Sequence, residues 1–470
     1  MLRAIAIAAG ICCAILFIVI GLRYQLQAYG DGAMFSYAVA VQDAWVFHWH
    51  NISGRLTVYL YCLAPAQAFV ALTGGPGGGV LVYGLLSFAA PLLGLIATYA
   101  ADRSRGRVIF AFACFSTAAL CPLVFGFPTE MWLAHALFWP TLAVSHYARR
   151  GVGGSVPVFA LFLALVFTHE GAIVFAATIV ATLLLRGSRD AAFVTAASAL
   201  TAAVVIWAAV KLAFPPDDYI AGILARAARN FFDTAIFSNA LVLLLLAAFA
   251  GYGAAFFILA RFTLAGAHVC AAAIVVLALV IYWLKLDHAL HATDRYFMRT
   301  VLLLATPVLG GLAVIYALRT EGRLRLPVPF LASVMETLAS RMMARAIAGA
   351  FVILLLVHAV ETAKFVTAWV QYKSAIGALA TGAASDPSLG DPRFVSTGRL
   401  DKTLNRLSWN STTPYLSVIA ANFTPARLVV DPAANYFWLS CATATANFKA
   451  DRAVPAETRG LVRIHACLHR

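Results

Sequence analysis

The chain has 470 residues, of which 62% are hydrophobic and only 11% are charged, a composition that excludes a soluble globular protein. Its formal net charge is +14, but the basic residues are spread through short loops, which argues against nucleic-acid binding. Apolar runs of about 18 to 22 residues recur along the chain, long enough to cross about 30 Å of hydrocarbon as helices. The sequence therefore predicts an all-α polytopic membrane protein.

The first apolar run, residues 4–22, is predicted to be a membrane span that the mature protein keeps. A signal peptide would have a shorter apolar run and would end at a small-residue cleavage site. The residues Cys12, Cys13 and Arg23 provide no such site.

The second apolar run, residues 56–73, is predicted to lie against the membrane or to re-enter it without crossing. Pro65 and the glycine-rich run at 74–79 favour a bent helix followed by a turn. A crossing here would also invert every later loop. The arginines of 319–326 would then lie outside, against the positive-inside rule.

Ten more spans are predicted after this segment, which makes eleven in all. They lie at residues 79–100, 108–126, 131–148, 155–170, 171–185, 191–213, 236–260, 264–284, 301–318 and 346–363. The chain is thereby divided into a transmembrane domain, residues 1–363, and a small α/β domain outside the cytoplasm, residues 364–470. Within the first domain, the outer loop at 23–78 is predicted to carry juxtamembrane surface helices.

The second predicted domain is polar enough to be soluble. It begins with a helix around Trp369 and Tyr372, followed by a linker rich in Pro, Gly, Ser and Asp at 381–392. Strands are predicted at 427–431, 436–440 and 461–468. Cys441 and Cys467 either form a disulfide in an oxidising compartment or stay as reduced buried thiols.

Polar side chains that could take part in catalysis or binding lie on the predicted outer face of the membrane, whereas the inner loops carry mainly arginines. The outer groups are Asp31, Asp43, His48, His50, Asn51, Arg55, Glu130, His169, Glu170, Arg295, Tyr296 and Arg299. Charged groups near lipid cost several kcal/mol and usually have a function. A cluster at one leaflet indicates an active site that a lipid-linked substrate reaches from the bilayer and a second substrate from the aqueous side.

In plan the chain resembles the GT-C type glycosyltransferases, the superfamily of the protein mannosyltransferases and the lipid A aminoarabinose transferases. The resemblance covers the whole length: a first span, an outer loop with an acidic residue in "YGDGAMFSY" (residues 29–37), helices along the membrane, many spans and an outer cap. The family's paired acidic dipeptide is absent, and Asp31, followed by a glycine, stands alone in its place.

The resemblance implies an inverting enzyme that moves a sugar from a polyprenyl-phosphate donor to a glycan, lipid or protein acceptor, without a cofactor. It implies a bacterial inner membrane, with the active site and the C-terminal domain facing the periplasm. Asp31 is then the candidate general base; alternatively, it caps a helix that begins near Ala33. Asp43 is the second candidate base, and its alternative role is that of a helix-surface residue.

Cationic groups would hold the leaving phosphate in such an enzyme. Arg295 and Arg299 are four residues apart, on one helical face, and Tyr296 accompanies them. Their alternative role is anchoring at the interface. Arg55 is a further candidate cation, with a plain ion pair to Asp31 or Asp43 as the alternative.

The other polar residues are assigned to sugar or acceptor binding. His48, His50 and Asn51 are predicted to face the cavity from a surface helix that Trp45, Phe47 and Trp49 anchor. Two histidines at i and i+2 point apart on a helix, which argues against a divalent metal, although Asp31 or Glu130 could complete such a site. Glu130, His169 and Glu170 either bind the acceptor or form structural ion pairs.

Two functions of other classes stay open on the sequence alone. A flippase or transporter of lipid-linked intermediates would need charged groups at mid-span; the only candidates, Lys211, His268, His358 and Glu361, all lie toward span ends. A catalytically inactive assembly partner would fit the single acidic residue at position 31.

Overall fold

A computed structural model describes most of the chain. The described residues are 2–42, 44–47, 55–120, 129–148, 151–187, 189–214, 240–259, 262–281, 284–285, 292–325, 341–382, 392–409, 412–424 and 426–431. The predicted site residues Asp43, His48, His50 and Asn51, the predicted disulfide of Cys441 and Cys467, and the predicted strands at 436–440 and 461–468 lie outside them.

The described part is almost entirely helical. Its first helices are α1 (Leu2–Tyr24), α2 (Asp31–Ala40), α3 (Ala44–Phe47), α4 (Leu56–Val58), α5 (Ala64–Thr73), α6 (Pro76–Ala101), α7 (Val108–Ala119), α8 (Glu130–Tyr147) and α9 (Val152–Val166). They are followed by α10 (Ala172–Leu183), α11 (Ala191–Ala213), α12 (Ala240–Leu259), α13 (Leu264–Ile281), α14 (Ala292–Thr320), α15 (Arg341–Thr381), α16 (Lys402–Asn405) and α17 (Thr413–Ala420). Strands β1 (Phe394–Ser396) and β2 (Leu428–Val430) form a small sheet.

A helix is present at each of the eleven predicted spans, because long apolar runs satisfy their backbone hydrogen bonds internally. Six helices in the described residues are long and apolar enough to cross a membrane. They are Leu2–Tyr24, Leu56–Thr73, Pro76–Ala101, Ala191–Ala213, Val301–Thr320 and Ala344–Thr381. The protein is therefore a helical membrane protein, and the count of eleven crossings stays a prediction.

Helices α1 and α7 run parallel, and α6 runs antiparallel to both. Gly10 of α1 faces Cys114 of α7, and the side chain of Arg3 reaches Gly106 just before α7. On α6, Phe88 stacks edge-on against Phe17 with 4.8 Å between ring centroids, while Gly84 contacts Gln27, just after α1. The end of α1 and the first part of α6 therefore lie on the same side of the bundle.

Residues 56–73 form one continuous helix, made of α4, a π-helical turn at Tyr59–Leu63 and α5, which we call the 56–73 helix. It packs antiparallel along the first part of α6, with the Tyr61 hydroxyl donating to the Leu86 carbonyl at 3.0 Å and Val70 against Gly79. Because the chain leaves α1 and enters α6 on the same side, this arrangement suits a segment that makes no net crossing. By length and composition alone, the 56–73 helix could also cross the membrane.

Close helix contacts in the bundle depend on glycine. A Cβ atom at Gly10 would lie 2.5 Å from the Cα and the carbonyl oxygen of Cys114, backbone atoms that cannot move aside. Small residues allow membrane helices to approach this closely, and the packing contacts that result hold them together.

We expect Gly10→Ala to destabilise the protein by about 1–3 kcal/mol, because the extra methyl group pushes α1 away from α7. The measurement is the midpoint of thermal unfolding in detergent. Gly349→Ala on α15 is the matched control, since a Cβ there meets open space and alanine favours a helix. Equal midpoints for the two variants would contradict the proposed close packing.

Helix α15 contains the last predicted span, 346–363, and continues without interruption to Thr381. It therefore passes through residue 363, where we placed the domain boundary, and the division into two domains stays a prediction. Phe351 stacks on Phe115 of α7, and further along α15 the indole of Trp369 donates to the Tyr24 carbonyl at 2.9 Å.

Helix α2, in the loop that follows α1, is buried within the protein. We predicted a helix along the membrane surface that begins near Ala33; the helix present there is α2, which begins at Asp31, and every residue from Gly32 to Val39 is buried. Helix α17 covers α2 from the C-terminal part of the chain, with Tyr415 against Tyr37 at 5.0 Å between ring centroids. That α2 lies along the membrane stays a prediction; its cover could not be predicted, because a sequence pattern cannot show a cover that comes from a distant part of the chain.

The sheet contains two parallel strands. β2 lies in the strand predicted at 427–431, and it pairs with β1, which we did not predict, in the register Phe394 to Leu428 and Ser396 to Val430. Both strands have three residues, too few for an alternating pattern to be recognised.

Candidate functional site

The centre of the candidate site is Arg55, which directly precedes α4. The first turn of α4 is held against the end of α9 by Thr57. Its amide donates to the Phe167 carbonyl at 3.2 Å, and its hydroxyl donates to the Ala164 carbonyl at 2.7 Å. These two hydrogen bonds fix the start of the 56–73 helix and direct the arginine side chain towards α8.

Arg55 makes ion pairs with two glutamates from different parts of the chain. Its Nη1 donates to Oε1 of Glu130 at 2.5 Å, and its Nη2 donates to Oε2 of Glu170 at 3.3 Å. The side chain of Glu130 is only 6% exposed, and those of Arg55 and Glu170 are 14% exposed. Buried carboxylates are costly unless they are paired, so the guanidinium stabilises both of them in place.

A second cation reaches the same cluster from α11. Nζ of Lys211 lies 3.5 Å from Oε1 of Glu170 and 5.6 Å from the ring centroid of Trp207. Nδ1 of His169 accepts a hydrogen bond from the Gly171 amide at 2.9 Å and lies 3.8 Å from Oε2 of Glu170. Glu170 thus contacts two cations and a histidine at the turn between α9 and α10.

Electrostatics bring Asp31 into this cluster. Burial alone lowers the pKa of Arg55, but the charges of Glu130 and Glu170 outweigh burial and raise it above its ordinary value, and the charge of Asp31 adds to this effect. Arg55 therefore stays protonated. Two cations, Arg55 and Lys211, contact the carboxylates of Glu130 and Glu170, and the charge of a third carboxylate, Asp31, acts on Arg55.

The start of α8, and with it Glu130, is recessed below the end of α1. Trp132 lies 6.4 Å from Phe17 between ring centroids, and Phe17 precedes the end of α1 by seven residues, about 10 Å along the helix axis. A cavity of about 20 Å³ adjoins Glu130, and the side chains of Cys62 and Ser87 also line it. Such a volume has room for one water molecule.

The structure brings four predicted site residues into contact: Arg55, Glu130, His169 and Glu170. The fifth, Asp31, lies one turn before Phe35, which lines the cavity beside Glu130, and its charge acts on Arg55. Of the two alternatives left open for Arg55, ion pairing is present, although the partners are glutamates of α8 and the 169–170 turn. Asp31 is the first residue of α2 rather than its cap, because Gly30 occupies the cap position. The predicted residues thus form one charged cluster.

Arg295, Tyr296 and Arg299 belong to helix α14, which begins at Ala292, earlier than the span predicted at 301–318. The predicted helical face is therefore present in the backbone, and these three side chains lie outside the described part of the structure. Phosphate binding by them stays a prediction.

Lys211 was considered in the sequence only as a possible transporter charge that lies toward a span end. It is in the last turn of α11, where it contacts Glu170, a pairing that was not predicted. The signal available in the sequence was complementary charge, since both residues occur at predicted span ends on the same side. In the part of the chain that the structure describes, no three His, Cys, Asp or Glu side chains are grouped to hold a metal ion.

No model of a known protein family matches the chain, and comparisons with curated proteins and with solved structures also find no match.

Proposed function

We propose that the protein is an integral-membrane glycosyltransferase of the GT-C type. It transfers a sugar from a polyprenyl-phosphate donor to a glycan, lipid or protein acceptor, with inversion at the anomeric carbon. In this proposal the protein lies in a bacterial inner membrane, and its active site faces the periplasm.

The observation that supports the proposal is the contact of Arg55 with Glu130 and Glu170 beside the buried start of α8, next to a cavity that α2 lines through Phe35, one turn after Asp31. These residues come from distant parts of the sequence and share one partly buried position near the end of the bundle. Titratable groups held together in this way are typical of functional sites, although structural ion pairs also group them.

In the proposed reaction, the carboxylate of Asp31 takes the proton of the acceptor hydroxyl. The hydroxyl oxygen attacks the anomeric carbon, and the bond between that carbon and the phosphate oxygen breaks on the opposite face. The phosphate keeps the bonding electrons and stays on the lipid carrier. A positioned general base of this kind accelerates a reaction by about 10²–10⁴-fold.

Arg55 then acts as a positioning residue. Its Nη groups are occupied by Glu130 and Glu170, so it holds these two carboxylates in place, and its positive charge interacts with the negative charge of Asp31. In this proposal, Arg295, Arg299 and Tyr296 bind the leaving phosphate. Charged donors that are already in place stabilise the developing charge more than water does.

The proposal is tested by comparing envelope glycolipids and polysaccharides of a deletion strain with those of its parent by mass spectrometry. We expect one glycan or lipid species to lose the mass of a single sugar residue in the deletion strain, and the wild-type sequence on a plasmid to restore it. The same species in both strains would contradict transferase activity. If the lipid-linked donor accumulates in the deletion strain while sugar transfer in vitro is unimpaired, the result would instead support a flippase.

A further inference from the structure

A second charged cluster lies at the opposite end of the bundle from Arg55. Helix α10 begins beside Glu170 and leads through a 3-10 turn to Arg186, about 20 Å away along the helix axis. Helix α8 ends at Tyr147 and α14 ends at Thr320. The ends of α8, α10 and α14 therefore lie at the same end of the bundle, and polar residues follow each of them.

The segment after α14 brings two more arginines to Arg186. The Arg325 amide donates to the Leu185 carbonyl at 3.0 Å, and the Arg325 side chain contacts Gly187. Nη1 of Arg323 donates to Oε2 of Glu321 at 3.0 Å. The ring of His146, buried at the end of α8, lies 3.0 Å from the Thr182 hydroxyl, one turn before Arg186, and the charges of Arg186 and Arg323 both act on it.

The hydrogen bonds of Arg186 leave one donor unused. Its Nη2 pairs with Oδ2 of Asp190 at 2.9 Å, whereas its Nη1 is buried and has no hydrogen-bond partner among the described residues. The whole side chain is only 14% exposed. A buried guanidinium nitrogen without an acceptor is costly, which points to an anionic oxygen as its missing partner.

The surroundings of Arg186 favour a ligand that belongs to the membrane. Leu184, two residues earlier, is 48% exposed, and Val194 on α11 is 55% exposed, so apolar surface adjoins the charged group. Three arginines at 186, 323 and 325 lie near this end of the bundle, where Asp190 pairs with Arg186, Glu321 pairs with Arg323, and the charge of Asp102 acts on Tyr147. Basic pockets between membrane helices at such a position bind anionic headgroups.

We propose that Arg186 and Arg323 bind the phosphate group of an anionic phospholipid at this end of the bundle. The phosphate oxygen accepts from Nη1 of Arg186, and the acyl chains lie along the apolar surface near Leu184. This site is separate from the proposed glycosyl-transfer site and does not depend on it.

The test is native mass spectrometry of the purified full chain with phosphatidylglycerol or phosphatidylcholine added. We expect phosphatidylglycerol to be retained preferentially, and Arg186→Gln to weaken its binding about tenfold, as expected for the loss of one charged hydrogen bond. Arg189→Gln is the matched control: it changes the net charge equally at an exposed neighbour, and we expect less than a twofold effect.

A second variant tests the site without removing the arginine. Asp190→Asn removes the acid that competes for Arg186 while keeping a side chain that caps α11, so we expect phosphatidylglycerol to bind more tightly. Equal effects of Arg186→Gln and Arg189→Gln, or no preference for phosphatidylglycerol, would overturn the proposal. Binding of inorganic phosphate in place of the lipid would also overturn it, by identifying a soluble ligand.

Discussion

Replacing Arg55 by methionine is expected to destabilise the protein by about 3–5 kcal/mol, because it leaves the carboxylates of Glu130 and Glu170 buried without their main partner. The measurement is chemical unfolding of the purified protein in detergent. Arg55→Lys keeps the charge but loses the fork that contacts both glutamates, so we expect a smaller loss.

The double variant Arg55→Met with Glu130→Gln distinguishes the ion pair from simple packing. Neutralising Glu130 removes the uncompensated charge, so part of the stability should return. If Arg55→Met costs less than about 1 kcal/mol, or if the second substitution brings no recovery, the cluster is screened by solvent in the manner of a surface ion pair.

The second large effect is expected at Asp31. Asp31→Asn preserves the shape of the side chain and the start of α2 but removes the basic oxygen, and sugar transfer should fall by about 10²–10⁴-fold. The readout is restoration of the missing sugar in the deletion strain, followed by initial rates with a polyprenyl-phosphate-linked donor once the sugar is known.

Asp401→Asn is the matched control for this experiment. Asp401 caps α16 at an exposed position, accepting from the Thr403 amide at 2.8 Å, and asparagine caps a helix equally well. We expect full transfer in this variant. Normal transfer by Asp31→Asn, with the protein folded and present in the membrane, would favour an assembly partner or a different base.

Much of the helical framework could be predicted from the sequence, since α1, α6 and α11 are long apolar runs that form helices in any membrane environment. The limits of such helices are set by local signals, as at Asp190, whose carboxylate accepts from the Phe193 amide and starts α11. Both halves of the helix from Arg341 to Thr381 were predicted as helices, but their continuity was not, because the change from an apolar to a more polar composition near residue 363 suggested a boundary.

The sequence could predict which residues belong to the candidate site but not which of them form ion pairs with one another. Charged residues near lipid stand out in a sequence, which identified Arg55, Glu130 and Glu170. Their partners depend on how the start of the 56–73 helix sits against α8 and the end of α9. Hydrogen bonds between residues about 100 positions apart, such as that from Thr57 to the Ala164 carbonyl, leave no periodic pattern in the sequence.

The burial of α2 beneath α17 has a consequence for biosynthesis. A chain inserted into the membrane as it leaves the ribosome releases α2 early, whereas α17 follows only after nearly all the intervening helices have been made. Tyr37 and its neighbours on α2 therefore lack their packing partner until α17 has been synthesised. A nascent chain that stops before Thr413 leaves this apolar helix uncovered, which makes it a natural target for quality-control proteases.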